Sequence, residues 1–341
     1  MRSIALFLAL TALVVAAPPV RAAEKVLTLA HLNKNDAADN PTGAMAVAFK
    51  QTLEEISGKT IRVDVFPEGQ LGGDEQTVAL TKKGVIQSAI SSVGGIAKLY
   101  PPIGVLDFPF AFRNIEQTYA VFDGPFGRLL ADDMERKAGF KVIGYGDQGG
   151  FFVLTNSKRP VRSPADMAGL RIRTMGLDTH KGFVGSLGGE AVGMAWKDVY
   201  GALGSRVVDG QMNPISIVKF ARFDEVQKYL TLTNHFFTPY VWTMNPAFHA
   251  GLTDQEKSWV ATAAAAGVNA SRATAKAMVA SERGLASLAQ RMTVYAPTPA
   301  EIDAFRKAAQ PTAKKLIEEK FGPEGATLLA AFLNAIGQAG E

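Results

Sequence analysis

The sequence has no cysteine in its 341 residues. Disulfide bonds, thiolate metal sites and a lipid-modified N-terminal cysteine are therefore excluded. Histidine is also scarce, and no two of the four histidines are spaced as metal ligands usually are. We expect neither a metal site nor any other cofactor, and we expect His180, His235 and His249 to be structural residues.

Motifs that carry catalysis are missing too. The chain has no Gly-x-Ser-x-Gly nucleophile turn, no Walker phosphate loop and no His-Glu-x-x-His zinc helix. No catalytic residue is predicted, and an enzyme that uses some other nucleophile, base or metal is kept as an alternative. Nucleic acid is not an expected partner, because the 36 basic and 32 acidic residues are interspersed rather than gathered into a basic patch.

The N-terminus has the pattern of an export signal. Arg2 supplies a positive charge, residues 4–17 form an apolar run, and a small-residue cleavage site ends at Ala22. We therefore predict a signal peptide over residues 1–22 and a soluble mature protein in an exported compartment. An uncleaved membrane anchor is the alternative, but the apolar run is short for a bilayer span and two prolines follow it.

Helix and strand patterns alternate along the rest of the chain, as in an α/β protein. Pro41 fits a helix start, and the alternating Ile61, Val63 and Val65 fit a strand. The segment from Thr253 to Arg291 contains no proline and opens with a capping box, which predicts one long helix. The chain length and the 47% hydrophobic content favour two domains over one.

Two polar residues stand at the ends of short predicted strands. Arg173 ends the strand in RIRTMG, and Asn213 ends a second strand in VVDGQMNP. Strand ends in an open α/β sheet face the crevice where ligands bind, and a planar guanidinium can hold a carboxylate with two parallel hydrogen bonds. The two residues together predict a carboxylate clamp. The alternatives are a surface ion pair for Arg173 and a turn-capping side chain before Pro214 for Asn213.

Several segments, in order along the chain, resemble one family of transport proteins. They are FPEGQLGGDEQTVALTKKG at 66–84, VLDFPFAF at 105–112, LTNSKRPVRSPADMAGLRIR at 154–173, WKDVYGALGSRVVDGQMNP at 196–214 and FDEVQKYLTLTNH at 223–235. These segments are similar to the solute-binding proteins of tripartite ATP-independent periplasmic (TRAP) transporters. That family includes binders of C4-dicarboxylates and of sialic acid.

The resemblance implies an α/β, two-lobed fold of the periplasmic-binding-protein type with a long lobe-spanning helix. Lobe I would comprise residues 24–149 and 239–278, and lobe II residues 150–238 and 279–341, with glycines at the crossing. The resemblance further implies a periplasmic monomer that captures a small organic carboxylate by lobe closure. The protein would deliver this ligand to the TRAP membrane permease subunits, which an ion gradient drives. A sensor that presents its closed form to a membrane receptor is the alternative.

The resemblance also implies ligand contacts. Arg173 would hold the ligand carboxylate, and Asn213 would contact the ligand. Trp196 would pack against the ligand, with a plain core position as the alternative. His31 would line the cleft at the end of the first strand.

Two positions depart from the family pattern. Phe152 stands where many members carry a second arginine, and Ser92 stands where sialic acid binders have a glutamate. Without the second cation a dicarboxylate loses a partner, whereas Phe151, Phe152 and Trp196 could cover an apolar ligand body. We therefore expect a monocarboxylate with an apolar or aromatic body, and a C4-dicarboxylate is the alternative.

Overall fold

Strands in two separate mixed sheets organise the chain. The computed structural model describes residues 25–340, so the predicted signal peptide at residues 1–22 lies outside the described residues. The strands are β1 Lys25–Ala30, β2 Ile61–Phe66, β3 Ser88–Ser91, β4 Lys141–Asp147, β5 Phe152–Asn156, β6 Arg171–Thr174, β7 Glu190–Gly193, β8 Gly210–Pro214, β9 Tyr229–Thr231, β10 Pro239–Met244 and β11 Thr293–Tyr295. The first sheet has the order β2-β1-β3-β10-β4, and the second has the order β11-β9-β5-β8-β6-β7.

Helices connect and cover the strands. They are α1 Pro41–Ile56, α2 Asp74–Lys82, α3 Val93–Ile96, α4 Ile115–Asp123, α5 Pro125–Ala138, α6 Asp178–Ser186, α7 Val199–Gly204, α8 Ile215–Phe220, α9 Pro246–Ala250, α10 Asp254–Ala280, α11 Ser287–Ala289 and α12 Pro299–Gln338. Short 3-10 segments lie at Pro101–Asp107, Pro164–Met167, Trp196–Asp198 and Phe223–Glu225.

Each sheet has its own apolar core, and this makes the protein two-lobed. In lobe I, which is built on the first sheet, Leu27, Phe49 and Trp242 pack together. In lobe II, which is built on the second sheet, Phe152 and Ile172 share a separate core. The predicted α/β, two-lobed architecture is therefore confirmed.

Two short crossings between the sheets lie after β4 and before β10, and the chain passes between the sheets a third time through α10, between β10 and β11. At the first crossing, Asp147 Oδ1 accepts hydrogen bonds of 2.7 Å from the N–H groups of both Gly149 and Gly150. These glycines have φ angles of +133° and +93°, which L-residues rarely adopt. Gln148 ties the two crossings together, because its Nε2 donates to the Thr238 carbonyl at 3.0 Å. The predicted glycine-rich crossing is thus held by side chains of its own segment.

The long helix is shorter than predicted. The capping box at Thr253 is present, but α10 ends at Ala280, and Ser281 is extended with ψ of 162°. A short π-helical segment follows, in which Gly284 has non-helical φ and ψ angles of −85° and −119°. A break is tolerated there because glycine has no Cβ to restrict it. The end of α10 still reaches α8 in lobe II.

The C-terminal helix α12 returns to lobe I. Gly322, with φ of +61° and ψ of −157°, interrupts the helix. Before this break, Phe305 packs in the core of lobe II. After it, Leu328 and Phe332 pack with Phe126 in the core of lobe I. Ala313 and Ile317, which precede the break, already pack in the lobe I core, so residues 279–341, predicted to belong to lobe II, contribute to both cores and the return to lobe I begins before Gly322.

Candidate ligand-binding site

The carboxyl ends of strands from both lobes meet at a cleft of about 740 Å³. In lobe I, Leu32 and Ser92 follow β1 and β3, and in lobe II, Arg173 and Asn213 lie close to the ends of β6 and β8. Ligands of open α/β sheets bind at such edges. Four of the seven predicted ligand contacts line this cleft, namely Arg173, Asn213, Trp196 and Ser92.

The lobes approach each other closely on one side of the cleft. A Cβ atom added to Gly94 of lobe I would lie 3.0 Å from the sulfur of Met175 in lobe II. Both residues line the cleft. A side chain at position 94 would require Met175 to shift, so glycine permits this close approach of the lobes.

Arg173 brings a buried positive charge to the lobe II wall. Its side chain is 4% exposed, and its Nε and Nη2 donate to the Met194 carbonyl at 3.2 and 2.7 Å. Burial lowers the pKa of the guanidinium to about 10, although Asp74 acts in the opposite direction. Arg173 is therefore charged at neutral pH, and within residues 25–340 it forms no ion pair with a carboxylate. A bound carboxylate would supply the missing partner.

Asn213 is held from behind by a chain of buried amides and hydroxyls. Its Nδ2 donates to Gln211 Oε1 at 2.6 Å, and Gln211 Nε2 donates to Thr155 Oγ1 at 2.9 Å. Thr155 in turn donates to Gln227 Oε1 at 3.0 Å. Asn213 is a strand residue paired with Val153, so the alternative that it caps a turn is not what the structure shows. The network fixes the orientation of the Asn213 amide in the cleft wall.

The lobe I wall contains polar residues that sequence reasoning missed. Asn33 Nδ2 donates to Thr42 Oγ1 at 2.8 Å and to Tyr240 Oη at 2.6 Å, and all three residues line the cleft. Gln148, at the crossing, lines it too. Asn33 follows β1 closely, and that position is the signal that could have identified it.

Ser92 and His31 are the predicted ligand contacts in lobe I, and the structure places them differently. Ser92 lines the cleft, but its Oγ donates to Asp74 Oδ2 at 2.5 Å. His31 does not line the cleft, contrary to prediction, because it continues the β1 ladder and its ring is buried beneath the wall. Burial lowers the pKa of His31 to about 4, so the ring is neutral.

The predicted aromatic residues are divided between cleft and core. Trp196 lines the cleft, and its ring packs edge-on against Phe223 at 5.7 Å. Phe152 is 0% exposed and packs against Phe236 in the core of lobe II. Phe151 packs against Phe237, and neither Phe151 nor Phe152 lines the cleft. The predicted ligand contact of Phe152 is therefore wrong, because its side chain points into the core rather than out of the sheet edge.

Residues 25–340 contain neither a metal-binding cluster nor a membrane-spanning helix. No three His, Cys, Asp or Glu side chains are grouped as a metal ion requires. Among the helices in this range, none is both long and apolar enough to span a bilayer.

Known proteins share this fold and this sequence pattern. Residues 32–320 match the family model of the bacterial extracellular solute-binding proteins, family 7. A solute-binding protein of Verminephrobacter eiseniae is 34% identical over 246 residues, which cover 72% of this chain and 73% of the relative.

Two solved structures superpose on nearly the whole chain. A TRAP periplasmic solute-binding protein of a Polaromonas species, bound to D-erythronate, has a TM-score of 0.83 and 29% identity and covers 91% of this chain and 98% of its own. A TRAP periplasmic solute-binding protein of Sulfurospirillum deleyianum, with bound succinate, has a TM-score of 0.81 and 28% identity and covers 91% of this chain and 99% of its own. The chain therefore belongs to family 7 of the bacterial extracellular solute-binding proteins, the family of the TRAP periplasmic solute-binding proteins.

Proposed function

We propose that this protein captures an organic monocarboxylate in the periplasm and delivers it to TRAP membrane permease subunits. The observation that carries the proposal is the buried Arg173 guanidinium, which faces the cleft and lacks a carboxylate partner among the described residues. A charge in such a place is costly unless a ligand pairs with it. Asn213, oriented by Gln211, would contribute a second polar contact to the same ligand.

The rest of the cleft favours an amphiphilic ligand. Trp196, Met175 and Ile217 line the lobe II side and would lie against the carbon skeleton. Asn33 and Gln148 line the other side and can hydrogen-bond polar substituents. The apolar or aromatic body expected from the sequence is proposed only for the part of the ligand that lies against lobe II, because Phe152 does not reach the cleft.

Capture would proceed by closure of the lobes. A ligand that contacts both walls binds the closed arrangement better than the open one, and this difference alone shifts the equilibrium. The two short crossings beside Asp147 and Thr238 would serve as the hinge, together with the connection through α10.

A C4-dicarboxylate is the second candidate. It is favoured by Lys197, an exposed cation that also lines the cleft. Of the two superposed proteins, the one from Sulfurospirillum deleyianum holds succinate, and the one from Polaromonas holds the monocarboxylate D-erythronate.

A carboxylate panel tests the proposal. Melting temperature is measured with each acid, and the acids that raise it are then titrated by calorimetry, since a ligand at about 100 times its dissociation constant adds about 2.7 kcal/mol of stability. Arg173→Ala is expected to weaken binding about a hundredfold or more, and Arg173→Lys nearly as much, because an ammonium lacks the planar fork. Arg171→Ala is the matched control, since it removes a guanidinium from the same strand that is paired with Asp209 instead. Unchanged affinity in both Arg173 variants would remove this residue as the anchor.

A further inference from the structure

A carboxylate stands in the cleft wall opposite Arg173. Asp74 is the first residue of α2, and its Oδ2 accepts hydrogen bonds from the Ser92 hydroxyl at 2.5 Å and from the Ser92 N–H at 3.3 Å. Asp74 is half-buried and lines the cleft. No hydrogen bond is found to its Oδ1 within the described chain. The cleft thus has a cation on the lobe II wall and an anion on the lobe I wall.

No neighbouring cation on its own lobe neutralises Asp74. On α2 the next residue is Glu75, which is paired with the exposed Lys98 at 3.5 Å. The packed elements β3 and α3 carry no titratable residue, and β10 brings only the Tyr240 hydroxyl. From lobe II, Arg173 is the cation that acts on Asp74.

The remaining charged residues of the cleft are exposed. Glu68 lines the cleft near the turn before α2, and Lys197 lines the opposite wall. Burial raises the pKa of Asp74 to about 6, although Ser92 and Arg173 act in the opposite direction. Burial therefore disfavours the ionised form of Asp74, and the charge of Arg173 partly stabilises that form.

A ligand carboxylate would pair with Arg173 and so weaken the favourable interaction between Arg173 and Asp74. Substituents of the same ligand that reach the lobe I wall would then meet a carboxylate with one free acceptor oxygen. A hydroxyl there can donate a hydrogen bond to Asp74, whereas a second carboxylate adds a like charge at a site with little solvent. Rejection of one ligand class by a repulsive group is a common source of selectivity.

We propose that Asp74 determines the ligand class of this cleft, selecting hydroxylated monocarboxylates and rejecting dicarboxylates of the same chain length. The proposal rests on the proposed function, because it places the ligand carboxylate on Arg173. Asp74 acts as a specificity residue that contacts the ligand substituents reaching the lobe I wall.

Three acids of equal chain length separate the effect of hydroxyl groups on affinity from the effect of a second carboxylate. D-Erythronate has one carboxylate and hydroxyl groups, butyrate has the carboxylate alone, and succinate has a second carboxylate. Each is titrated by calorimetry into ligand-free protein about two pH units above the Asp74 pKa of about 6. Wild-type protein is expected to bind D-erythronate about tenfold or more tightly than either of the other two acids.

Asp74→Asn keeps the size and the acceptor oxygen of the side chain and removes its charge. This variant is expected to bind succinate about tenfold more tightly than wild type, with a smaller change for D-erythronate. Glu55→Gln is the control, because it removes an exposed carboxylate of lobe I that does not line the cleft, and its preference between the two acids should equal that of wild type. Melting temperatures show whether each variant is folded.

A pH series on wild-type protein gives a second readout, with Asp74→Asn as its reference. As the pH falls through about 6, Asp74 gains a proton. The ratio of the wild-type affinities for D-erythronate and succinate should then decrease. Any decrease that persists in Asp74→Asn belongs to the titration of succinate itself and is subtracted. The inference is overturned if wild type prefers succinate, or if neither the variant nor the lower pH changes the ratio. If none of the three acids binds, the proposed function fails for this ligand size and the inference fails with it.

Discussion

Gln211 orients Asn213 through a hydrogen bond of 2.6 Å between Asn213 Nδ2 and Gln211 Oε1. Gln211 is itself buried and does not line the cleft. A residue that a ligand would never touch thus determines how the amide of Asn213 faces the cleft. Strand β8 places Asn213 in the cleft wall, and the hydrogen bond to Gln211 orients its side chain.

Replacing Gln211 by leucine is expected to weaken binding of the preferred carboxylate about tenfold, because one buried hydrogen bond contributes about 1 kcal/mol and Asn213 would lose its fixed orientation. Calorimetry gives the affinity. Thr155→Val is the control, since it removes the bonds of Thr155 to Gln211 and Gln227 but keeps the bond between Gln211 and Asn213, and it should have a smaller effect on affinity. Equal affinities for wild type and Gln211→Leu, with both folded, would show that the network does not serve the site.

The two crossing glycines should differ in their response to alanine. Both have positive φ angles, which cost an alanine about 1 kcal/mol or more. A Cβ at Gly149 would also lie 1.6 Å from the Ser216 hydroxyl oxygen, whereas the nearest atom to a Cβ at Gly150 belongs to Val279 at 3.9 Å. Gly149→Ala is therefore expected to lower the melting temperature more than Gly150→Ala.

A second substitution checks the cause of that difference. Ser216→Ala removes the clashing oxygen and should restore part of the stability that Gly149→Ala loses. If the two glycine variants melt at the same temperature, backbone strain rather than this contact governs the first crossing.

Introducing a cation at Phe152 should unfold lobe II rather than create a dicarboxylate site. Phe152 is 0% exposed and surrounded by the rings of His180, His235 and Phe236. An arginine there would be a buried charge without a partner, at a cost of about 3 kcal/mol or more. Denaturant unfolding measures the loss, with Phe152→Leu as the volume-reducing control. A folded Phe152→Arg protein with gained succinate affinity would contradict this expectation.

Stability in acid should depend on Asp209. Burial alone would raise the pKa of this carboxyl, but hydrogen bonds from Arg171 and the charge of Lys158 bring it to about 2. Because the folded pKa is below the unfolded value of about 3.9, the stabilisation is present above about pH 4 and is lost as the pH falls toward 2.

The comparison with Asp209→Asn isolates this contribution. The variant is expected to be less stable than wild type at neutral pH, and the difference in unfolding free energy should shrink as the pH approaches 2. Denaturant unfolding at a series of pH values measures it. A difference that stays constant across this range would show that the Asp209 ion pairs do not contribute through titration.

Much of the local structure could be predicted because it depends on residues close in the chain. The capping box predicted at Thr253 joins residues three positions apart and is present, and the same pattern caps the helices that begin after Ser163 and Thr298. Arg173 and Asn213 could be placed at strand ends for the same reason, and both line the cleft. The end of α10 at Ala280 was not predicted, because an isolated serine or glycine such as Ser281 or Gly284 is tolerated inside a helical pattern and no proline marks the break.

The sequence by itself determined the alternation of helices and strands, their starts, and the presence of an arginine at a strand end. Periodicity and capping are local properties, so they can be read without knowing the fold. Only the tertiary structure decided that Phe152 points into the core, since the strand pairing of β5 sets which side each residue faces. It also decided that Asp74 stands opposite Arg173, because these residues belong to different lobes and meet only when both sheets present their edges to one cleft.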